Sequence, residues 1–251
     1  MKTIIEKLIE IEQNENVRII MAVESGSRAW GFASPDSDYD VRFIYVRKMD
    51  EYLRLDDQRE VIEWQLDEVF DINGWDIRKA LRLFRNCNPS VYEWIGSPVV
   101  YRTSPEFDLL KEMRTEYFSP KKSLYHYWHM AASNYKDHLQ ADQVKVKKYF
   151  YALRPVLAAK WVSVFRTPPP VLFSELLRDD LLTQEEKGEI EKLLEIKKDM
   201  PEMGTAPSNA ILNSYIESNL QALKLTADSM PQEPYKGWDK LNEFFRAVLQ
   251  S

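Results

Sequence analysis

Short apolar runs separated by polar turns characterise the first hundred residues of the chain. The run at 17–23 is almost wholly apolar, which predicts a strand buried on both faces of a sheet. A second run at 41–46 predicts another strand, and an apolar stripe at helical spacing over 3–14 predicts a helix packed across the sheet. Apolar residues at helical spacing predict another helix, which begins at Trp75 or Asp76 and ends at Arg85. Further short segments that predict strands are 61–66, 69–72 and 99–101.

From about residue 104 onward, the apolar positions recur at helical spacing and the strand signals fade. The helices predicted in this half cover 106–117, 121–139, 144–166, 174–179, 184–198, 208–227 and 238–249. The two halves together predict an α+β fold. Residues 1–103 are expected to form a mixed sheet with helices, and residues 104–251 are expected to form an α-helical domain.

Composition narrows the class of protein without changing this picture. Apolar residues make up 44% of the chain and charged residues 29%, which is typical of a globular protein in water. We expect no membrane partner, because no apolar run is long enough to span a bilayer and the N-terminus has no basic-then-apolar leader. Cys87 is the only cysteine, which excludes an internal disulfide and favours a cytoplasmic location. The net charge of −6 disfavours indiscriminate nucleic-acid binding but is compatible with a local basic groove.

The polar stretch between the first two predicted strands carries the candidate chemistry. A Gly26-Ser27 turn ends the first strand, where backbone N–H groups and a hydroxyl are placed to bind a phosphate. Asp38 and Asp40 open the next strand, and they point to the same face because side chains alternate along a strand. Two adjacent carboxylates repel each other unless a cation lies between them, and Mg2+ binds carboxylates together with substrate phosphates. A phosphate-binding turn ahead of such a pair is typical of two-metal phosphoryl or nucleotidyl transfer.

Residues 24–43 also resemble a known signature. Gly-Ser, ten residues and then Asp-x-Asp resembles the DNA polymerase β-like nucleotidyltransferase superfamily. The longer wording Glu-Ser-Gly-Ser-Arg-Ala-Trp-Gly-Phe-Ala-Ser-Pro-Asp-Ser-Asp-Tyr-Asp-Val-Arg-Phe resembles one branch of it, the predicted bacterial and phage nucleotidyltransferases named for an RNA-repair pathway (RlaP-like). The resemblance continues at 71–81, 88–94 and 147–155, so it covers most of the chain.

The resemblance implies a nucleotidyltransferase catalytic domain over residues 1–103 and a helical domain over residues 104–251 that completes the substrate cleft. It implies that Asp38 and Asp40 are metal ligands and catalytic residues, joined by a third carboxylate on a strand beside them. Asp71 is the favoured third ligand. Asp76 is the alternative, although its place at the start of a predicted helix also suits an N-cap. The expected cofactor is Mg2+, as two ions, with Mn2+ as a substitute.

Residues that bind the nucleotide are expected in both halves of the chain. The candidates are Gly26, Ser27, Arg28, Lys148 and Arg154. The last two lie in 143–174, which contains six Lys or Arg residues and no Asp or Glu. Cations beside an aromatic ring suit a nucleotide, but a basic helix face that balances acidic neighbours has the same pattern. Arg28 likewise has a structural alternative, an ion pair with Glu24 or a nearby aspartate.

The expected function is therefore metal-dependent transfer of a nucleoside monophosphate from a nucleoside triphosphate, such as ATP, to a hydroxyl acceptor, with release of pyrophosphate. An RNA end, as in RNA repair, a protein hydroxyl and a small molecule all remain open as the acceptor. The alternative is a catalytically inactive nucleotide- or RNA-binding module of the same fold. The intact Gly-Ser turn and Asp-x-Asp pair favour the enzyme. The sequence predicts neither the preferred nucleotide nor the oligomeric state.

Overall fold

The computed structural model describes residues 2–34, 36–67, 69–199, 204–234 and 236–251. The strands in these ranges are β1 (Arg18–Glu24), β2 (Tyr39–Val46), β3 (Val61–Leu66), β4 (Phe70–Asp76), β5 (Val100–Arg102), β6 (Gln143–Lys145) and β7 (Thr205–Pro207). The helices are α1 (Lys2–Glu15), α2 (Gly26–Trp30), α3 (Met49–Tyr52), α4 (Ile77–Arg85), α5 (Pro89–Ile95), α6 (Pro105–Tyr117), α7 (Pro120–His138), α8 (Val146–Phe165), α9 (Phe173–Leu176), α10 (Gln184–Asp199), α11 (Ala210–Ser229) and α12 (Asp239–Gln250). The predicted α+β class is confirmed.

The first five strands form one mixed sheet in the order β3-β4-β2-β1-β5. Strand β2 pairs antiparallel with β1 on one side and parallel with β4 on the other. Strands β3 and β5 pair antiparallel with β4 and β1, respectively, at the two edges. The parallel pair at the centre brings the N-terminal ends of β2 and β4 to the same edge of the sheet.

Helix α1 covers one face of this sheet, because its apolar stripe is spaced for a single helix face. Ile4, Leu8 and Ile11 are buried in the same core cluster as Val41 and Phe43 of β2. Since side chains alternate along a strand, the even-numbered positions at the start of β2 point to the opposite face. Because α1 packs against the face that carries Val41 and Phe43, Asp40 lies on the opposite face of β2.

The described residues form two compact units. The first comprises Met1–Ala29, Asp38–Tyr117 and Pro234–Ser251, and it holds the sheet. Helices α6 and α12, which the sequence placed in the helical half, belong to this unit. The predicted boundary between residues 103 and 104 stays a prediction.

The second unit comprises Trp30–Ser37 and Phe118–Glu233. Its central helix is α8, which is apolar almost all round and continues through Pro155, as expected of a helix surrounded by other elements. Strands β6 and β7 add a small antiparallel pair that the helical periodicity did not predict. In the described part of the chain, no helix is both long and apolar enough to cross a lipid bilayer.

Candidate active site

The turn after β1 is fastened to the start of β2 by two backbone groups. The Ser25 amide donates to the Asp40 carbonyl oxygen at 2.9 Å. The Asp40 amide donates in turn to Glu24 Oε1 at 2.7 Å. The Gly-Ser turn and Asp40, the second aspartate of Asp-x-Asp, are therefore neighbours in the fold, although twelve residues separate Ser27 from Asp40 in the sequence.

Gly26 is required here for two separate reasons. Its φ of +58° lies in the left-handed region that favours glycine. A Cβ atom at this position would lie 1.9 Å from Asp40 Oδ2, far inside van der Waals contact. The missing side chain therefore makes room for the Asp40 carboxylate as well as permitting the turn.

Asp40 and Asp71 are directly opposite each other on the parallel strands β2 and β4. Arg42 joins them through a single nitrogen: Nη2 donates to Asp40 Oδ1 at 2.9 Å and to Asp71 Oδ2 at 2.6 Å. The side chains of Asp40 and Asp71 keep 24% and 26% of their surface exposed, so the pair is accessible from solvent. The structure thus brings the favoured third carboxylate beside the second one.

Asp38 and Arg28 lie where the chain enters β2. The Arg28 Nε donates to the Asp38 carbonyl oxygen at 2.9 Å, and its guanidinium stacks over the Tyr39 ring at 4.0 Å. Arg28 therefore links helix α2, which contains the Gly-Ser turn, to the first residue of the Asp-x-Asp pair. Its phosphate-binding role stays a prediction.

Asp76, the alternative third ligand, lies at the far end of β4, where it pairs with Tyr45 rather than with Asp40. Its Oδ1 accepts from the Arg78 amide at 2.8 Å, which makes it the N-cap of α4. Its Oδ2 accepts from the Tyr52 hydroxyl at 2.8 Å. Burial raises the pKa of Asp76, although these hydrogen bonds oppose the shift. The surroundings of Asp76 are those of a helix cap.

The two candidate cations of the helical half belong to the second unit, whereas the carboxylates belong to the first. Arg154 is only 2% exposed, and its guanidinium lies 4.5 Å from the centre of the Trp30 ring. Lys148 is half-buried, with Nζ 3.1 Å from His138 Nε2. Burial lowers the pKa of Lys148, and the charges of the neighbouring lysines lower it further.

Sequence reasoning missed the role of Arg42 and left the contacts of Glu24 open. Glu24 is buried, accepts a hydrogen bond from the Tyr101 hydroxyl and holds the Asp40 amide. Burial raises the pKa of the Glu24 carboxyl, and the charge of Asp40 adds to this, while its hydrogen bonds and Arg28 oppose it. Arg42 had a signal in the sequence, because alternation along β2 places it on the same face as Asp40.

The donor set fits a hard divalent ion. Carboxylate oxygens from two adjacent strands already converge on one cationic group, Arg42, and Mg2+ is typically held by one or two carboxylates together with substrate phosphates. Among the residues that the structure describes, no three His, Cys, Asp or Glu side chains converge closely enough to hold a metal by themselves. The predicted triad of Asp38, Asp40 and Asp71 stays a prediction.

Comparison with known proteins gives three findings. The profile of the family described as "RlaP: RNA repair pathway DNA polymerase beta family" matches residues 1–247. The "Uncharacterized protein YcgL" of Bacillus subtilis (strain 168) is 43% identical over 248 residues, which is 98% of this chain and 95% of that protein. A crystal structure of a nucleotidyltransferase-like protein from Exiguobacterium sibiricum 255-15 shares 14% identity, with a TM-score of 0.33, over 90% of this chain and 75% of that one.

Proposed function

Because the chain belongs to the RNA repair pathway DNA polymerase beta family, we propose that it catalyses metal-dependent nucleotidyl transfer from a nucleoside triphosphate to a hydroxyl acceptor. One observation carries the proposal. The Asp40 carboxylate lies against Gly26 on one side and beside Asp71 on the other, so the Gly-Ser turn and the two carboxylates meet at one end of the sheet.

The proposed roles follow from this arrangement. Asp38, Asp40 and Asp71 supply oxygen ligands, and the register of β2 and β4 favours Asp71 over Asp76 as the third. Mg2+, once bound there, lowers the pKa of the attacking hydroxyl and offsets negative charge on the transferred phosphoryl group. The Gly26 and Ser27 backbone amides bind the phosphates of the incoming nucleotide, since successive N–H groups in such a turn form an anion-binding concavity.

The remaining cations have different surroundings. Arg28 lies at the junction of the turn and β2, and we propose that its guanidinium contacts the triphosphate. Lys148 is half-buried, so part of its side chain is open to solvent, and its nucleotide-binding role is kept as a proposal. Arg154 is buried against Trp30, and this favours a packing role over nucleotide binding.

For the acceptor we propose an RNA end, in line with the name of the family. The net charge of −6 makes strong non-specific binding to RNA unfavourable. We therefore expect a recognised end rather than a long bound stretch. The buried Cys87 is the only cysteine, which is compatible with a cytoplasmic location.

The test is transfer of label from each of the four nucleoside triphosphates, in Mg2+ or Mn2+, to a pool of cellular RNA and protein. Wild-type protein is expected to label RNA, and the D38A/D40A double variant is expected to label nothing. D36A, which removes an exposed aspartate from the same stretch, is the matched control and is expected to keep its activity. Wild-type activity in the double variant would refute the proposal.

A second pair of variants decides the third ligand. D71N is expected to lose transfer, whereas D76N, whose amide oxygen can still cap α4, is expected to keep transfer. Label on protein instead of RNA would show that the acceptor is a protein hydroxyl and not an RNA end. Triphosphate-dependent stabilisation that persists in a chelator, without any transfer, would indicate the inactive binding module.

A further inference from the structure

The proposed function assigns no role to Arg42, although its guanidinium makes four hydrogen bonds at the carboxylates. Its Nη1 donates to the carbonyl oxygens of Val41 at 3.2 Å and of Asp71 at 2.7 Å. Its Nη2 donates to the carboxylates of Asp40 and Asp71. The side chain is only 16% exposed. The guanidinium therefore bridges the two strands at the place where the oxygens of both carboxylates converge.

This bridge sets the charge of the site before any ligand arrives. Without Arg42, the carboxylates of Asp40 and Asp71 would lie side by side with two negative charges. The guanidinium offsets part of this charge, so the pair attracts a divalent ion less strongly in the ligand-free protein. An arginine that touches two carboxylates also repels a metal that binds the same groups, and such repulsion is strong in a partly desolvated site.

A triphosphate changes this balance. It brings negative charge and oxygen acceptors to the same edge of the sheet, and arginine forms favourable bidentate contacts with phosphate. A guanidinium that gives up a carboxylate oxygen can then bind a phosphate oxygen instead. The cost of moving Arg42 is thus high for a metal alone and lower for a metal that binds together with a triphosphate.

We infer that Arg42 is a positioning residue that holds Asp40 and Asp71 together in the ligand-free protein and couples the binding of divalent metal to that of the triphosphate. This inference rests on the proposed function, because it takes Asp40 and Asp71 as metal ligands. The triphosphate is itself a metal ligand, so some increase of metal affinity with nucleotide follows from the ligand assignment alone. The inference adds the part of that increase that depends on the Arg42 guanidinium, which opposes metal binding until a triphosphate is present. By linkage, the nucleotide must show the same dependence on the metal.

The test measures Mn2+ binding by the electron paramagnetic resonance signal of free Mn2+, so no turnover is needed. Full-length wild-type, R42Q, R42K and D71N proteins are titrated with Mn2+, with and without α,β-methylene ATP, a triphosphate that cannot transfer its nucleotidyl group. The analogue also binds Mn2+ by itself, so a parallel titration without protein is subtracted and only the protein-dependent binding is compared. In the wild type, the analogue is expected to increase this protein-dependent Mn2+ affinity by at least about fivefold, the lower end of typical coupling between ligands. R42Q is expected to bind Mn2+ alone more tightly than wild type and to lose most of the increase. R42K, which keeps the charge, is expected to keep part of it.

The outcomes separate this inference from the proposed function. If D71N binds Mn2+ as wild type does, the metal assignment fails and the inference fails with it. If D71N weakens binding but R42Q binds Mn2+ no more tightly than wild type, Arg42 only supports the structure and the inference alone is wrong. If R42Q does not fold, as judged by circular dichroism, R42K decides: a lysine cannot reproduce the fork that contacts both carboxylates, so wild-type Mn2+ affinities with and without the analogue in R42K overturn the inference.

Discussion

The substitution Gly26→Ala tests whether the candidate site depends on the close contact between the turn and Asp40. Its added Cβ would lie 1.9 Å from Asp40 Oδ2 and 2.9 Å from the carboxyl carbon, so the carboxylate must move away. The atoms that block the methyl group belong to the end of a side chain that is partly exposed. We therefore expect the fold to survive and the site to be disrupted.

The expected loss of stability has two parts. Holding a non-glycine residue at a φ of +58° costs about 1–2 kcal/mol. Moving Asp40 also weakens its hydrogen bond to Arg42, and a hydrogen bond to a charged group contributes about 1.5–3 kcal/mol. The free energy of unfolding should therefore fall by about 1–2 kcal/mol if the carboxylate finds new partners, and by about 3–5 kcal/mol if it does not.

Urea denaturation measures the loss of stability, and Mn2+ binding by the folded protein measures the disruption of the site. Gly31→Ala is the matched control, because Gly31 has a φ of +86° but meets only the flexible Leu172 side chain, at 3.2 Å. It should cost a similar amount through the backbone and leave Mn2+ binding unchanged. Wild-type Mn2+ affinity in folded G26A would show that the position of Asp40 against the turn is irrelevant to the site.

Three further predictions concern groups outside the carboxylate pair. Asp76→Ala removes a helix N-cap, so urea denaturation should show a loss of about 1–2 kcal/mol, and a loss of Mn2+ binding in the folded protein would contradict its structural role. Arg154→Ala removes a buried side chain packed on Trp30 and should cost about 2–5 kcal/mol, as for other large buried side chains; unchanged stability with weaker nucleotide binding would restore its predicted role. Burial tends to raise the pKa of Glu106, but its hydrogen bonds, that of Arg18 first, lower it to about 2 from an ordinary 4.5. Stability from this group is present above pH 4.5 and is lost as the pH falls towards 2. The free energy of unfolding of E106Q, measured by urea denaturation, should therefore fall less than that of the wild type between pH 4.5 and pH 2. An equal fall in both proteins would count against the ion pair.

The main elements of the fold were predictable from local pattern. Strand β3 begins and ends at the predicted residues, because its alternation is bounded by polar turns. Strand β4 runs four residues beyond the predicted 69–72, up to Asp76. Gly74 in this extension packs directly under Phe43, and β4 pairs with a strand on each side. Tertiary pairing therefore extended a strand whose own residues signal a turn.

Pairings between distant segments were not predictable in this way. Strands β6 and β7 have three residues each and lie about sixty positions apart, so neither has a periodicity of its own. The bridge formed by Arg42 was not predictable for the same reason, because it joins two segments that are distant in the sequence. Alternation gives the face of β2 on which Arg42 lies, but only the parallel register with β4 shows that Asp71 is its second partner. Side-chain partners across a sheet depend on strand order, which one sequence does not specify.

The segment between Ser27 and Asp38 explains why the longer signature is more specific than Gly-Ser and Asp-x-Asp alone. Trp30–Ser37 belongs to the helical unit, where Phe32 packs against Phe150 and Phe173 at ring distances of 4.7 and 5.2 Å. These residues are therefore constrained by helices more than a hundred positions away, whereas Gly26 and Asp40 are constrained by the geometry of the sheet. A chain with a different helical partner could keep the turn and the carboxylates, but it would need other residues between them. The spacing between the Gly-Ser turn and Asp-x-Asp thus indicates the superfamily, and the aromatic residues within that spacing reflect packing inside the helical unit.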